Sequence, residues 1–211
     1  MSLPNTDLGG ADLEDSKFLH TKLGLPEDKV IILHPGYYML HQVIDRLGEV
    51  AQAWPDEWRI VFHKGYYVSY QKKDLESRNK HIIFSKVPFP YNQLKEVFSS
   101  ATIGFVWHYN SERPGGGKNQ DYIGYSSGKF NLFTKYGKPV ITSNQTTFRE
   151  IFNEYQCGIA ISSLDEMGAA ISKILMDIDS YRSEAKRFYE ERLRFDQYYK
   201  KFSEKLESLM E

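Results

Sequence analysis

The sequence predicts an α/β fold: a parallel six-stranded sheet with helices on both faces, followed by a C-terminal helical tail. Three observations carry this expectation. Short apolar, β-branched runs alternate with longer amphipathic stretches, the pattern left by strands joined through crossover helices. The runs are nearly continuously apolar, as strands covered on both faces are. A chain of 211 residues, 41% hydrophobic and 26% charged, is long enough for one such domain with helical attachments.

After an irregular acidic opening (Asp7, Asp12, Glu14, Asp15), the first predicted strand is Val30 to Leu33. Apolar residues then recur at Leu40, Val43, Ile44, Leu47, Val50, Ala51 and Trp54, steps of three and four that mark one buried helical face. Arg59 to His63 reads as the second strand and Ile82 to Phe84 as the third. Thr102 to Trp107 is the fourth, with a helix before it over Asn92 to Ser99. Pro139 to Thr142 and Gly158 to Ile161 complete the six. Two helix starts fit the capping box, Thr147-Phe148-Arg149-Glu150 and Ser163-Leu164-Asp165-Glu166. From Asp179 onward Phe195, Tyr198, Tyr199, Phe202, Leu206 and Leu209 fall at helical spacing, which predicts one or two helices across the outside of the domain. The expected organisation is a lead-in over 1–28, a Rossmann-like body over 29–178 and a helical extension over 179–211.

Composition excludes several classes of function. With 27 basic and 28 acidic residues the net charge is −1, so no global field draws nucleic acid or an anionic membrane, and any bound anion must be met locally. The single cysteine, Cys157, forms no internal disulfide; with no leader-like N-terminus, a reducing, cytoplasmic setting is expected. No apolar run approaches the roughly 20 residues of a spanning helix, which leaves at most a peripheral association with the inner membrane face.

In an open parallel sheet the ligand crevice lies beyond the strand C-termini. The residues that follow the predicted strands are polar, aromatic and rich in glycine: His34-Pro35-Gly36-Tyr37-Tyr38, His63-Lys64-Gly65-Tyr66-Tyr67, His108-Tyr109-Asn110 with Arg113 to Lys118, and Ser143-Asn144-Gln145-Thr146-Thr147. The strongest local signal is Ser126-Ser127-Gly128-Lys129 opening a helix. Unpaired N–H groups at a helix start, a glycine that lets a phosphate approach and a lysine charge together suit a phosphate. A serine cap beside a solvated lysine fits the same four residues. His34, His63 and His108 all fall at strand ends, but with no acidic partner and no tight spacing they suit ligand hydrogen bonding or packing better than a metal. Glu150 is open between a sugar contact and a capping role, and Cys157 reads as a small buried residue. No G-x-G-x-x-G follows the first strand, Gly115-Gly116-Gly117-Lys118-Asn119 lacks P-loop spacing, and no aspartate ends the first strand as a receiver domain requires.

Taken together these residues resemble the C-terminal half of GT-B glycosyltransferases of the group 1 type. Leu3-Pro4-Asn5 is similar to the Pro-Asn that precedes that domain, Leu23-Gly24-Leu25-Pro26 to its lead-in, and Val87-Pro88 with Leu94 to the segment before its fourth strand. Ser126-Ser127-Gly128-Lys129-Phe130 with Tyr136-Gly137-Lys138-Pro139-Val140-Ile141 resembles the family's donor helix and strand; Phe148-Arg149-Glu150-Ile151 and Gly158-Ile159-Ala160 follow in order. The resemblance implies one half of a GT-B fold that binds a nucleotide diphosphate sugar, with no cofactor and no metal required. It implies that Ser126, Ser127, Gly128, Lys129 and Gly36 hold the diphosphate. Asn144, Gln145, Thr146 and Glu150 would face the sugar, while His63, Lys64, Gly65, Val87, Pro88 and Asn131 would line base and ribose.

The departures are specific. The family's ribose glutamate aligns with Leu132 and its acidic partner with Gly124, so both carboxylates are missing, and the usual arginine and lysine are absent from His34 to His41. Asn131, Lys64, Lys129, Arg113 or Lys118 would substitute in ribose and phosphate recognition, or else the donor differs. The resemblance also implies a partner, an N-terminal acceptor domain not seen here, with a glycan or glycolipid acceptor and no nucleic acid. The chain is then expected to bind a nucleotide and to transfer no sugar alone. A sugar-nucleotide epimerase of the same architecture, or a non-catalytic nucleotide- or partner-binding domain, are the alternative readings.

Overall fold

The computed structural model describes residues 4–5, 8–36, 41–63, 79–85, 87, 91–108 and 118–209. The lead-in carries a short helix α1 (Phe18–Leu23), and the body then runs β1 (Val30–Pro35), α2 (His41–Val50), β2 (Trp58–His63), β3 (Ile82–Ser85), α3 (Leu94–Ser99), β4 (Ile103–Val106), α4 (Gly128–Lys135), β5 (Val140–Ser143), α5 (Thr146–Tyr155), β6 (Gly158–Ile161) and α6 (Met167–Met176). The tail is α7 (Ile178–Phe188), a π-helical turn over Tyr189–Leu193, and α8 (Phe195–Glu207).

Each apolar run became a strand, and all six pair in parallel in the order β3-β2-β1-β4-β5-β6. Alternate residues of β1 face opposite layers, which is why the strands read as unbroken apolar runs. Ile31 and Leu33 join one core with Phe98, Phe130, Phe133 and Phe148, and Ile32 joins the other with Leu47, Phe105, Ile141 and Ile171. Helix α4 sits unusually close to β4. A Cβ on Gly104 would lie 2.5 Å from the Phe133 ring, so only glycine lets the helix seat here.

Part of the predicted tail is core. Ala185, Phe188, Tyr189 and Leu193 are fully buried against Phe130, Phe152 and Tyr155, so α7 and the π-helical turn close the first core layer instead of lying across its outside. The exposed Tyr199, Phe202 and Leu206 belong to α8. The lead-in is held as firmly: Asp12 N–H donates to the Lys135 carbonyl at 2.8 Å, Ala11 N–H to Glu190 Oε1 at 2.6 Å, and Tyr189 Oη to the Gly9 carbonyl at 3.2 Å. Lys138, only 3% exposed, and Arg182 both bond Asp15.

The Ser163 capping box forms as expected, its hydroxyl accepting from Asp165 N–H and Glu166 Oε1 accepting from Ser163 N–H at 3.0 Å. The one at Thr147 does not form. The N-cap of α5 is Gln145, two residues earlier, and the Thr147 hydroxyl accepts from Gly124 N–H and donates to the Asp121 carbonyl, both at 3.0 Å. Glu150 is therefore an exposed residue of the first helical turns, not a capping partner.

Candidate functional site

Strand order reverses between β1 and β4, whose neighbours run outward in opposite directions, so the crevice of the sheet opens beyond their C-terminal ends. Strand β1 delivers Gly36 there. Its φ is +88°, a left-handed conformation, and its N–H donates to the His63 carbonyl at 2.9 Å. Helix α4 delivers Lys129, which crosses to the same place. A Cβ on Gly36 would stand 3.2 Å from Lys129 Cε and 3.6 Å from Nζ. The backbone geometry requires glycine at position 36, and the lysine chain fills the space its side chain would take.

The start of α4 carries no side-chain cap: Ser127 is its N-cap residue and makes no side-chain capping bond among the described residues, and Asn5 Nδ2 lies 3.2 Å from where a Cβ on Gly128 would stand. The first ladder bond runs from Asn131 N–H to the Ser127 carbonyl at 3.0 Å, so the amides of Gly128, Lys129 and Phe130 precede the ladder. Such amides carry partial positive charge and suit an anion. Lys129 adds a full charge, half-buried, and no described carboxylate lies within ion-pairing distance of it. Burial pushes its ammonium below the ordinary lysine value. An anion docked here would relieve that penalty.

Strand β4 brings His108 to the same edge, two residues beyond Val106. Its N–H donates to Ser143 Oγ at 2.7 Å, that hydroxyl donates to Gln145 Oε1 at 2.7 Å, and Gln145 Nε2 donates to the His108 carbonyl at 3.1 Å. The three residues form a closed ring that ties the ends of β4 and β5 together. The His108 imidazole stacks on Phe148 at 6.0 Å and 23°. Burial first, and the nearby Lys129 charge second, lower its pKa to about 4, so it is neutral at physiological pH.

The remaining sequence-predicted residues divide by location. Ser126 is exposed, and its carbonyl accepts from Asn5 Nδ2 at 3.4 Å. Asn144 and Thr146 lie half-buried at the end of β5 and the start of α5, both bonded by Arg149, with Asn144 Nδ2 donating to Ser162 Oγ at 2.8 Å. Gln145 is 0% exposed and engaged at both ends of its amide by the ring just described. Asn131 is buried too, and its amide nitrogen donates to the carbonyls of Asn5 and Tyr125, which fastens the lead-in to α4. On the other side of the crevice His63 shares a 3.0 Å hydrogen bond with Ser85 Oγ, which accepts from Val87 N–H at 3.3 Å. Lys64, Gly65, Pro88 and Arg113 lie outside the described residues, as does the side chain of Lys118.

His34 is a packing residue. Its Nδ1–H donates to the Phe105 carbonyl at 2.9 Å, and its ring sits 5.8 Å from both Phe62 and Phe105. Among the described residues no group of three or more His, Cys, Asp or Glu side chains could hold a metal ion, and no helix is long and apolar enough to cross a membrane. Cys157 is fully buried, and burial pushes its thiol far above the ordinary range. The missing carboxylates also have a physical setting. A Cβ on Gly124 would lie 2.9 Å from Thr147 Cβ, so that position holds no side chain, and Leu132 packs against the first core.

A parallel sheet of this order, with its crevice at the switch point between β1 and β4, defines the class: a Rossmann-like α/β domain. Within that class the chain belongs to the family of glucosyltransferase 3-like C-terminal domains, which it matches over residues 48–206. It is thus a glycosyltransferase C-terminal domain, and membership favours the transferase over the epimerase and non-catalytic alternatives.

Solved structures agree on the fold. The chain is similar to HepE of Anabaena in complex with UDP, at TM-score 0.65 and 14% identity, covering 91% of this chain and 52% of that one. It is similar to sucrose-phosphate synthase from Thermosynechococcus elongatus at TM-score 0.64 and 14% identity, covering 95% and 51%. It also resembles the C-terminal domain of a group 1 glycosyl transferase, LpcC, from Francisella tularensis, at TM-score 0.57 and 14% identity, covering 85% and 91%. The chain therefore spans about half the length of the HepE and sucrose-phosphate synthase chains. No curated protein sequence matches it.

Proposed function

We propose that this domain binds the donor of a sugar-transfer reaction, a nucleoside diphosphate sugar, with the diphosphate against the start of α4. The observation that carries the reading is the Lys129 ammonium lying over Gly36 at the switch point, in front of an uncapped helix, with no described carboxylate to neutralise it. Gly128 and Ser127 supply the approach, and Gly36 gives the phosphate a surface without a Cβ. Charge that builds on the leaving diphosphate is met by the lysine and the helix amides, a preorganised site that needs no metal for the purpose. Asn144, Thr146 and the exposed Glu150 form the sugar side, and His63 with Val87 the base side. Lys64, Gly65 and Pro88 are proposed for the base side from sequence alone. Asn131 and Gln145 are left out, since their amides are engaged within the protein.

The complete enzyme would carry its acceptor, a glycan or glycolipid, on a partner domain, as the half-length coverage of the HepE and sucrose-phosphate synthase chains supports. The chain alone would bind the donor without turning it over, at a cytoplasmic location. A thermal-shift titration with uridine, guanosine and adenosine diphosphates tests the reading. At least one should raise the melting temperature of the wild-type chain, and Lys129→Ala should remove most of that rise. Sugar transfer by the 211-residue chain alone would contradict the division of labour.

A further inference from the structure

Resting on that donor-site reading, we propose that His108 is a second phosphate contact: its Nε2–H donates a hydrogen bond to the diphosphate that Lys129 holds. Four features of the structure point there. His108 stands at the end of β4, one of the two strands that bound the switch point, and the other strand delivers Gly36 beneath Lys129.

Its backbone is fixed on both sides, by the 2.7 Å bond to Ser143 Oγ and the 3.1 Å bond from Gln145, and its ring is fixed by Phe148. A side chain held this way has little freedom left to lose when a ligand binds. The closed ring around a 0% exposed glutamine that ties β4 to β5 also fixes the backbone from which the His108 ring projects.

Nε2 is buried and has no hydrogen-bond partner among the described residues. Buried polar atoms in folded proteins nearly always have one, and an oxygen of the docked diphosphate would supply it. Finally, burial is the one influence that shifts the Lys129 ammonium, with no carboxylate partner among the described residues, so a donor beside it would meet the phosphate without an acidic competitor. Burial and Lys129 keep the imidazole uncharged, which preserves one N–H and avoids repulsion between two cations.

The test uses the 211-residue chain labelled with 15N in its imidazoles and UDP as the probe. Long-range 1H–15N spectra should show His108 neutral without ligand and its Nε2 resonance displaced when UDP is added. His108→Phe keeps a ring on Phe148 but has no nitrogen, and should weaken UDP binding by about tenfold or more, the effect of losing a hydrogen bond to a charged group. His108→Gln, which restores an N–H, should recover much of the loss.

If UDP binds and Lys129→Ala abolishes binding, while the His108 resonance stays in place and His108→Phe binds like wild type, the inference fails and the donor site stands. If UDP, GDP and ADP all fail to bind the wild-type chain, the donor-site reading fails and takes the inference with it.

Discussion

Replacing Gly36 with alanine isolates the contact on which the site depends. Two separate costs follow from the structure. At φ +88° an L-residue is strained, which costs about 1–2 kcal/mol of folding stability. The new methyl would also sit 3.2 Å from Lys129 Cε, closer than ordinary van der Waals contact. Because that atom belongs to a flexible chain, the lysine moves away at small cost to stability but leaves the switch point. The prediction is therefore asymmetric. Urea denaturation should show a lower midpoint at an unchanged slope, an unfolding free energy smaller by about 1–2 kcal/mol, while nucleoside diphosphate affinity falls about as far as in Lys129→Ala.

A double-mutant cycle separates the terms. In a Lys129→Ala background the Gly36→Ala change should still cost its backbone strain yet add little further loss of affinity. Independent, additive losses of affinity from the two substitutions would refute the reasoning, as would a Gly36→Ala chain that binds normally.

Lys129→Met should raise the melting temperature of the ligand-free chain while removing nucleotide binding, because it replaces a desolvated charge with an apolar stem; scanning calorimetry reads the gain, about 2–4 °C per kcal/mol for a domain of this size. Gln145→Leu should destabilise the chain by about 1–3 kcal/mol in urea, since the His108 carbonyl loses its donor and Ser143 its acceptor. Burial works to raise the Asp15 carboxyl, but hydrogen bonds from Lys138 and Arg182 outweigh it and hold the group below the ordinary carboxylate value. A depressed folded pKa means stability that is present above the unfolded value and lost as pH falls through the folded one. Unfolding midpoints of wild type should thus drop more steeply than those of Asp15→Asn below about pH 4, and Asp15→Asn should be the less stable chain at pH 7.

The strands were legible because parallel strands covered on two faces are written as apolar runs, and Gly158–Ile161 falls where the sequence puts it. Strand β1 is longer than its apolar run because His34 satisfies its ring inside the sheet, which hydropathy does not register. The serine-glycine-lysine start of α4 was legible as well, since it rests on local chemistry.

Contacts distant in sequence were not. Nothing in the residue order says that Lys129 lies over Gly36, or that the amides of Asn131 and Gln145 face the protein's own carbonyls and hydroxyls. An amide that binds a sugar and one that binds a backbone carbonyl have the same composition, and only packing distinguishes them. The Thr147 pattern misled for a related reason: its hydroxyl found better partners in Gly124 and Asp121 than in its own helix. The half of the tail that became core was hidden by its charged neighbours, because Phe188, Tyr189 and Leu193 are surrounded in sequence by arginines and glutamates that stay at the surface.

Chemical-shift mapping of the 15N-labelled chain with a nucleoside diphosphate asks most directly whether an anion docks at the switch point. The largest amide displacements should fall on Gly36, Gly128, Lys129 and His108, and Lys129→Ala should abolish them. Displacements centred elsewhere, for instance on the polar groove of Asn153, Gln156 and Lys173 beside β6, or none with any of the three diphosphates, would contradict the account.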